Sequence, residues 1–512
     1  MTAINPISPI LDHASKTPDA LALFVDGQYY TYRQLTALTA AQAARINQLS
    51  TAPSRVAVLC AGGAEAYCGA LAALWMGATY IPLATDTPLP QLRDMLTDVA
   101  PDLLLTDPSG AALWHRLDLP GKRPRHLSIE LDPTGDPALA PPVAGFDTDS
   151  AVYVVFTSGT TGHPKGVPVS ARQLTHALEC FQRRYVIKRD DRLSQSFPLT
   201  FDLSMFDLFM AWQQGASLHV IPARQRLAPG PFIRQQQLTL WFSVPSVIAF
   251  MHRLGQLKPD NLATLRWSLF CGEALPLELA RRWQDAAPDA QMDNLYGPAE
   301  ATIACTAKRL YDLHCPDYEM TIGQPLDGTL LATIGEQEQW TPPEIGGELL
   351  ISGPQVVDGY WAREEETQHR FTVRKHPQLG AHRWYRTGDL ARLGDDGDWR
   401  FLGRVDRQLK IRGIRTETEA IEQLVQQHSG ADTAAILPLY EQQLCVGVAA
   451  FVTPVPLQPE VEARRKLIRS LKPCLQGALL PIQVRYLPQL PLTRHGKIDY
   501  RQLAAVLDER EG

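Results

Sequence analysis

The sequence predicts an α/β fold, with a large N-terminal domain of layered sheets and helices, built from several subdomains, and a small α+β C-terminal domain. Helix-like and strand-like patterns alternate, as in residues 71–83, where a helical pattern, Gly77 and a strand pattern follow one another. At 512 residues the chain is too long for one compact core. From Asp406 onward the pattern becomes that of a small α+β unit. We therefore predict domains at residues 1–405 and 406–512.

Local signals assign the first elements. Residues 11–17 have the spacing of an amphipathic helix, and residues 21–32 alternate as a β-hairpin does, with Asp26 and Gly27 at the turn. Thr31 is a candidate N-cap for the helix that follows. Further along, buried strands are expected at residues 55–60, 238–246 and 265–272, and a helix at residues 171–180.

The composition is that of a globular protein, with 45% hydrophobic and 20% charged residues. The net charge of −6 provides no basic field of the kind that nucleic-acid binding requires. No apolar run reaches the ~18 residues of a membrane span, and residues 1–20 lack the pattern of an export signal. The eight cysteines are scattered, without a Cys-x-x-Cys pair. We therefore expect a cytoplasmic protein with reduced thiols and with neither a membrane nor a nucleic-acid partner.

The most informative stretch is VVFTSGTTGHPKG, at residues 154–166. A strand-like run breaks into glycines and hydroxyl residues, and Lys165 follows. Glycines allow backbone N–H groups to converge on an anion, while the hydroxyls and the lysine add donors and positive charge. The stretch is not a Walker P-loop, because no Gly-Lys-Ser/Thr follows. Since short Gly/Ser/Thr clusters also form ordinary surface loops, this interpretation depends on the remaining chain.

Further motifs follow in order. Together they resemble the core motifs of the adenylate-forming superfamily, which contains acyl-CoA synthetases, luciferases and the adenylation domains of nonribosomal peptide synthesis. Within it the chain is most similar to stand-alone amino-acid adenylation enzymes, in particular L-proline:carrier-protein ligases. The matching segments are residues 30–35, 71–83, 154–166, 196–210, 293–302, 346–360, 385–390, 403–413 and 492–499.

The resemblance implies ATP and Mg²⁺ as cofactors and a reaction in two steps, in which a carboxylate attacks the α-phosphorus of ATP and a thiol then takes the acyl group. Glu300, with Thr157, would ligate Mg²⁺, which prefers oxygen ligands. The nucleotide-binding residues implied are Thr157, Ser158, Thr160, Thr161 and Lys165 for the β- and γ-phosphates, Gly272 for close backbone approach, Asn294 and Tyr296 for adenine, and Asp389 with Arg404 for the ribose.

The resemblance assigns the catalytic role to Lys497, which would reach from the small domain to the carboxylate and the α-phosphate. Family members rotate the small domain between the two steps, which implies a mobile lid with a hinge near Asp406. Taken singly, Lys497 would be a solvated charge, Asp406 a loop residue, and Asp389 a helix cap or turn residue. The ordered set of motifs favours the functional interpretation.

The pair Phe201-Asp202 points to the substrate. In the family an Asp here binds the ammonium group of an α-amino acid, and a buried carboxylate needs such a cationic partner. The alternative is that Asp202 caps the helix that begins near Ser204. The other pocket residues, apart from Lys497, are apolar: Leu203, Phe206, Phe242, Leu269, Cys271, Leu295, Ile303 and Ala304. We expect a small to medium apolar amino acid, L-proline best, although valine or alanine differs by only ~1–3 kcal/mol per methylene.

The partner expected is a separate phosphopantetheinylated peptidyl carrier protein, because only 13 residues follow Asp499. A basic set on a helix-like segment is a candidate docking face, with a solvated helix face as the alternative; it consists of Arg464, Arg465, Lys466, Arg469 and Lys472. Two departures from the family pattern leave details of phosphate binding and of the carrier step open. Ala299 replaces a usual Thr or Ser, and residues 415–420 lack the usual glycine.

Three functions therefore compete. The first is an ATP-dependent ligase that loads an amino acid onto a carrier protein. The second is an acyl- or aryl-CoA synthetase of the same superfamily, which would accept free coenzyme A and an acid without an amino group. The third is an inactive binding or scaffold protein, against which the presence of Lys497, Asp389 and Glu300 argues.

Overall fold

The computed structural model describes residues 5–49, 52–136, 142, 145–158, 163–316, 318–456, 459–493 and 498–508. These residues form two compact units. The first unit contains the described parts of Met1–Thr85, Met95–Phe156 and Lys165–Val405. The second unit contains those of Asp86–Asp94, Thr157–Pro164 and Asp406–Gly512.

Two short segments belong to the second unit although the predicted ranges place them in the N-terminal domain. Hydrogen bonds explain the grouping. The His163 ring Nδ1 lies 2.9 Å from the Asp94 carboxylate. The Ser158 hydroxyl donates to the Arg415 carbonyl over 2.7 Å. Ser158 and His163 are therefore each tied to another segment of the smaller unit.

Helices and strands alternate over most of the chain up to residue 296, as the sequence predicts, and strands predominate from there to Val405. The helices are α1 (Ser8–Lys16), α2 (Tyr32–Gln48), α3 (Gly63–Trp75), α4 (Leu89–Val99), α5 (Pro108–Arg116), α6 (Ala171–Arg184), α7 (Leu203–Gln214), α8 (Gly230–Gln236), α9 (Pro245–Arg253), α10 (Leu277–Ala286) and α11 (Glu364–Arg370). The strands are β1 (Leu21–Val25), β2 (Gln28–Thr31), β3 (Arg55–Cys60), β4 (Thr79–Ala84), β5 (Leu103–Thr106), β6 (Arg125–Ser128), β7 (Ala151–Thr157), β8 (Lys165–Ser170), β9 (Arg192–Gln195), β10 (Ser217–Val220), β11 (Leu240–Ser243), β12 (Trp267–Phe270), β13 (Gln291–Tyr296), β14 (Thr306–Leu310), β15 (Gln324–Pro325), β16 (Leu330–Ile334), β17 (Trp340–Thr341), β18 (Gly347–Ser352), β19 (Phe371–His376), β20 (Gly380–Leu393) and β21 (Trp399–Arg404).

The largest sheet within the described residues has nine strands, in the order β15-β14-β13-β12-β11-β9-β10-β1-β2. Strands β13, β12, β11, β9 and β10 are parallel to their neighbours in this series. The register sets Phe242 beside Leu269, and Phe270 beside Asn294. Ligands of open α/β sheets bind beyond the carboxyl ends of such strands. That edge of the sheet is where the candidate site lies.

Two further sheets complete the first unit. One has the strand order β6-β5-β3-β4-β7-β8, and its central residues Val56, Ala57 and Leu59 are fully buried, as expected for a parallel sheet covered on both faces. The other is antiparallel, in the order β17-β16-β18-β20-β19, with β21 on β20. In it, Asp389 lies directly opposite Arg404.

The second unit is a small α+β fold. A three-stranded sheet is covered by α12 and α13 on one face, where Ile436 and Val448 pack, and by α14 on the other, where Leu437 and Ala449 pack. This two-sided core follows from the alternation of side chains along each strand. The elements are β22 (Leu409–Ile411), β23 (Ile414–Thr416), α12 (Thr418–Ser429), β24 (Thr433–Glu441), β25 (Leu444–Thr453), α13 (Glu460–Leu471), β26 (Gln483–Tyr486) and α14 (Tyr500–Asp508).

The predicted hairpin and its cap are confirmed. Strands β1 and β2 pair antiparallel around Asp26 and Gly27, whose φ values of 50° and 80° are those of a tight hairpin turn. The Thr31 hydroxyl accepts from the Gln34 backbone N–H, and the Gln34 side chain accepts from the Thr31 N–H. This reciprocal capping box starts α2.

All eight cysteines lie in the described ranges, and all are free thiols. Of the helices that the structure describes, none combines the length and the apolar character needed to cross a bilayer.

Candidate active site

The candidate site is built at the carboxyl ends of the neighbouring parallel strands β11, β12 and β13. Along β13, side chains alternate between the two faces of the sheet. Asn294 and Tyr296 therefore lie on one face and Leu295 on the other. The predicted nucleotide residues and the predicted pocket residue of this strand are thus separated by the sheet itself.

The Asp389 carboxylate is the centre of a buried polar cluster. It accepts a hydrogen bond of 2.5 Å from the Tyr296 hydroxyl and pairs with the Arg404 guanidinium. Burial, and after it the Asp389 charge, raises the pKa of Tyr296 well above its usual range, so the phenol keeps its proton and donates. The structure thus brings together three residues that the sequence assigns to nucleotide binding.

Strand pairing and a second carboxylate hold Asp389 in place. Because β20 and β21 are antiparallel neighbours, Arg404 is directly opposite Asp389. The Thr387 hydroxyl accepts from the Asp389 N–H over 2.9 Å and donates to the Leu349 carbonyl over 2.8 Å. Glu348 pairs with Arg386 at 2.6 Å, which fixes the strand just before the cluster. The alternative that Asp389 is a helix cap or turn residue is wrong, since it lies within β20.

Glu300, the predicted Mg²⁺ ligand, is fully buried just beyond β13. The Tyr360 hydroxyl donates to its Oε1 over 2.6 Å. The Lys165 ammonium lies 5.5 Å from the centre of the Tyr360 ring, within range of a cation–π contact. Tyr360 therefore contacts two of the predicted site residues, although it is not itself among the residues that the sequence assigns to the site.

Asn294 and Gly272 also lie at this edge. The Asn294 side-chain amide donates to the Thr321 carbonyl over 2.7 Å, which orients the amide. Gly272 follows β12 with φ of 91°, a conformation that side chains rarely adopt. A Cβ there would lie 3.3 Å from a Val244 methyl group, so glycine keeps the backbone open at this point.

The predicted pocket residues form an apolar group on the other face of the sheet and at the start of α7. The rings of Phe206 and Phe242 are 5.1 Å apart and nearly perpendicular, and Phe197 packs against Phe242 at 4.9 Å. Most of the set is buried: Leu203, Phe206, Phe242, Leu269, Cys271, Leu295, Ile303 and Ala304. The register of β11 and β12 places Phe242 on the same face as Leu269, in agreement with its assignment to the lining.

Asp202 stands half-buried immediately before α7. Its side chain makes no capping hydrogen bond, so the alternative that it caps this helix is wrong. The hydroxyl of buried Tyr153 is close enough that the Asp202 charge, after burial, raises the pKa of this tyrosine well above its usual range. A carboxylate therefore stands at the start of the helix that also carries Leu203 and Phe206.

An ion-pair network next to the predicted pocket residues was not evident from the sequence. The fully buried Asp293 carboxylate pairs with Arg184 and Arg309 and accepts from the Tyr185 hydroxyl at 2.9 Å. The Tyr185 ring packs against Phe206 at 5.9 Å. The network therefore supports Phe206, one of the predicted pocket residues. In the sequence, only the position of Asp293 next to Asn294 could have suggested it.

Several predicted residues cannot be placed with this group. Thr157 and Ser158 belong to the second unit. Thr160, Thr161 and Lys497 lie outside the described residues.

The donor chemistry fits Mg²⁺ and a nucleotide. The described residues contain no group of three or more His, Cys, Asp or Glu that could hold a metal. Magnesium in phosphate-transferring sites keeps waters and takes oxygen from one or two carboxylates and from the substrate phosphates, so it requires no such group. A single buried carboxylate, Glu300, with Lys165 nearby meets that requirement.

Comparison with known proteins gives a consistent result. The family model described as AMP-binding enzyme matches residues 10–361. The chain is 30% identical over 512 residues to malpinin synthetase of Mortierella alpina, an alignment that covers 97% of this chain but only 6% of that protein. It is 31% identical over 513 residues to enterobactin synthase component F of Escherichia coli strain K12, with 96% of this chain and 38% of that protein covered. The chain thus spans well under half the length of these relatives.

Solved structures share the fold over almost the whole chain. The Vibrio cholerae adenylation domain AlmE, in complex with glycyl-adenosine-5'-phosphate, has a TM-score of 0.83 at 30% identity, with 98% of both chains covered. IdnL7 has a TM-score of 0.70 at 31% identity, with 99% of both chains covered. An NRPS protein containing adenylation and PCP domains has a TM-score of 0.80 at 23% identity, with 98% of this chain and 84% of that one covered. At this level of identity the match shows only that the fold is shared.

Proposed function

Because the chain belongs to the AMP-binding enzyme family, we propose that it uses ATP to convert a small apolar amino acid, best L-proline, into aminoacyl-AMP. It then transfers the aminoacyl group to the phosphopantetheine thiol of a separate carrier protein. The observation that carries the proposal is Asp202, a carboxylate that caps no helix and stands beside an apolar side-chain group. An ammonium group on the substrate would complement the charge of that carboxylate.

In the first step, a carboxylate oxygen of the amino acid attacks the α-phosphorus of ATP. The bond from that phosphorus to the bridging oxygen breaks, and pyrophosphate leaves. Both reactants are anions, so the site must hold them together and offset their charge. Asp389 accepts hydrogen bonds from the ribose hydroxyls while Arg404 and Tyr296 fix its carboxylate. Tyr296 and Asn294 bind the adenine.

The phosphates are bound by Lys165 and by the loop hydroxyls of Thr157, Ser158, Thr160 and Thr161. Glu300, with Thr157, would hold Mg²⁺, and Tyr360 orients the Glu300 carboxylate through its hydrogen bond. When bound, the metal supplies positive charge to the phosphate oxygens. Lys497 adds its ammonium charge to the reacting carboxylate and the α-phosphate.

In the second step, the carrier thiol attacks the aminoacyl carbonyl. The bond from the carbonyl carbon to the AMP oxygen breaks, AMP leaves, and the thiol proton passes to solvent. The small domain, residues 406–512, acts as a mobile lid that rotates about Asp406 between the steps. A hinge needs only a few residues that absorb a change in backbone dihedrals.

The choice of L-proline rests on the shape and polarity of the lining. Phe206 and Phe242 pack edge to face, and two such large rings leave room for only a small to medium side chain. Apart from Asp202 and Lys497, the assigned lining residues are apolar, so they offer no second carboxylate for a basic side chain and no further cation for an acidic one. A compact apolar side chain matches this environment, and the pyrrolidine ring of L-proline combines such a side chain with the ammonium group.

The carrier docks on a basic groove of the second unit. Between α13 and β26 lies a groove of about 730 Å³, lined by five basic side chains and one acidic one: Arg464, Arg465, Arg469, Lys472, Arg485 and Glu460. Arg465, Arg469 and Lys472 are exposed, and within the described residues none of them has an ion-pair partner. Ile482, 58% exposed, adds an apolar contact at the rim. An acidic carrier surface complements this charge.

Reversing two charges of this groove should weaken the carrier step alone. With Arg465→Glu and Arg469→Glu together, we expect the KM for the holo-carrier to rise about tenfold at low salt, and less at high salt because of screening. Pyrophosphate exchange should be unchanged. The control is Arg501→Glu, a charge reversal at an exposed arginine of α14 that does not line the groove, compared with each single variant of the pair. An unchanged KM for the carrier in the double variant would show that the carrier does not dock on this groove.

Neutralising Asp389 should weaken nucleotide binding. For Asp389→Asn we expect the KM for ATP to rise about 10- to 100-fold, since a hydrogen bond to a charged group contributes about 1.5–3 kcal/mol. The KM for the amino acid should change little. Asp395→Asn, an exposed aspartate that follows the same strand, serves as the control. A KM for ATP equal to that of the parent would show that Asp389 does not bind the nucleotide.

Carrier loading tests the proposed function as a whole. The chain is incubated with ATP, Mg²⁺ and L-proline, together with either a holo-carrier protein or free coenzyme A, and the products are identified by mass. We expect aminoacylated carrier and little aminoacyl-CoA. Formation of acyl-CoA from acids without an amino group would instead establish the acyl- or aryl-CoA synthetase.

A further inference from the structure

The backbone just beyond β13 adopts an unusual conformation. Thr302 and Ile303 are consecutive residues with φ of 54° and 72°. Both are β-branched, and such residues rarely occupy the left-handed region because the side chain crowds the backbone. Conformations of this kind persist only where the surrounding structure imposes them. Residues 300–304, here called the pocket turn, therefore need support from elsewhere in the chain.

One buried side chain provides most of that support. The Gln355 amide nitrogen donates to the Ala304 carbonyl over 2.8 Å and reaches the Ala301 and Thr302 carbonyls at 3.3 Å each. The Thr302 hydroxyl donates to the Gln355 backbone carbonyl over 2.6 Å. Gln355 is 1% exposed. A single carboxamide thus serves three carbonyl groups of a turn that begins in one short 3-10 helix, Ala299–Ala301.

The same segment also holds the other end of the pocket turn. The Val357 N–H donates to the Glu300 carbonyl over 2.9 Å, and the Tyr360 hydroxyl binds the Glu300 carboxylate. On the opposite side the turn packs on Gly297, where a Cβ would lie only 2.6 Å from the Ala304 Cα. The turn is therefore clamped between β13 and residues 355–360.

The clamp bears directly on substrate choice. Ile303 and Ala304 are pocket residues in the proposed function, and both are fully buried. Their side-chain positions depend on the left-handed backbone, because relaxation of either φ would move the Cβ atoms. A displacement of an ångström in a small apolar pocket is comparable to the size difference between competing amino acids.

We propose that Gln355 is a positioning residue for substrate specificity. It contacts no substrate in this assignment; its amide holds Ile303 and Ala304 where they close the pocket around a small apolar side chain. The inference rests on the proposed function, because it takes these two residues as the lining.

The test compares Gln355→Leu, which removes the donors at similar volume, with the parent in pyrophosphate exchange. We expect the KM for L-proline to rise about tenfold and the preference for L-proline over L-alanine and L-valine to fall at least fivefold. The KM for ATP should stay within twofold. This split separates a positioning role from general loss of structure, which would lower kcat for every substrate alike.

Gln42→Leu is the matched control. Gln42 is also a fully buried glutamine, and its carboxamide oxygen accepts from the Glu130 backbone N–H over 3.3 Å and from Arg45 over 3.2 Å, with no hydrogen bond to residues 300–304 or 355–360 among the described residues. Its loss should reduce the melting temperature and leave the preference among amino acids unchanged. Equal changes of preference in both glutamine variants would overturn the proposal.

Thr302→Val keeps the test decisive if Gln355→Leu fails to fold. It retains the β-branched shape and removes only the hydroxyl bond to Gln355, and we expect a smaller fall in preference, about threefold. An unchanged preference in every folded variant would overturn the role of Gln355. Absence of exchange by the parent with any amino acid would overturn the proposed function and this inference with it, and the two failures are distinguishable by that measurement.

Discussion

Asp202→Asn should reduce kcat/KM for the amino acid by about 10²- to 10³-fold. The substitution keeps the size of the side chain and removes its charge, so the substrate ammonium loses its partner. Breaking a buried ion pair by removing one member costs about 3–5 kcal/mol. The KM for ATP should be unchanged, because Asp202 lies with the pocket residues at the start of α7. Pyrophosphate exchange at varied amino-acid and ATP concentrations measures both quantities.

Cyclopentanecarboxylate is the matched ligand control for Asp202. It has the ring size of proline without the ammonium group. The parent should discriminate against it strongly, and the Asp202→Asn variant should discriminate little. If the parent accepted this acid as well as proline, and the variant kept full activity, the role of Asp202 would be contradicted and the CoA synthetase favoured.

Lys497→Ala should lower kcat for adenylate formation by about 10²- to 10³-fold, the usual effect of removing one group that stabilises charge in a transition state. ATP binding should persist, because the Asp389 cluster lies in the first unit. Single-turnover formation of aminoacyl-AMP measures the chemical step, and equilibrium binding of ATP measures affinity.

The control for Lys497 is Lys466→Ala, an exposed lysine of the same small unit. It should form adenylate at the rate of the parent. Adenylate formation by Lys497→Ala at that same rate would show that Lys497 takes no part in the chemical step.

Local signals were sufficient for much of the fold. The hairpin at Asp26 and Gly27 and the capping box at Thr31 are each encoded within a few residues, so both were predictable and both are confirmed. Apolar runs identified β3, β11 and β12 for the same reason. Strand β3 has the predicted ends, and β11 and β12 are shorter than predicted by two or three residues at each end. The end of β11 is earlier because helix α9 begins at Pro245.

Individual site residues could be predicted from the sequence, but the contacts between them could not. Asp389, Tyr296 and Arg404 could be named from motifs, yet their contact depends on the pairing of β20 with β21 and on the position of β13. The bond from Tyr360 to Glu300 joins residues 60 positions apart. No periodicity in the sequence encodes such a contact, and the same holds for Gln355 and its three carbonyl groups.

The ambiguous case was Asp202. An aspartate before a helix is also the usual form of an N-cap, so the sequence left a capping role open as the alternative. The geometry excludes that alternative, since the side chain makes no capping bond to the start of α7, and the substrate-binding role stays a prediction.

Pyrophosphate exchange with each of the twenty amino acids tests the central claim most directly. The account predicts ATP-dependent exchange that is strongest with L-proline, weaker with other small apolar amino acids, and absent with charged ones. Exchange with no α-amino acid, under conditions in which the protein binds ATP, would contradict it.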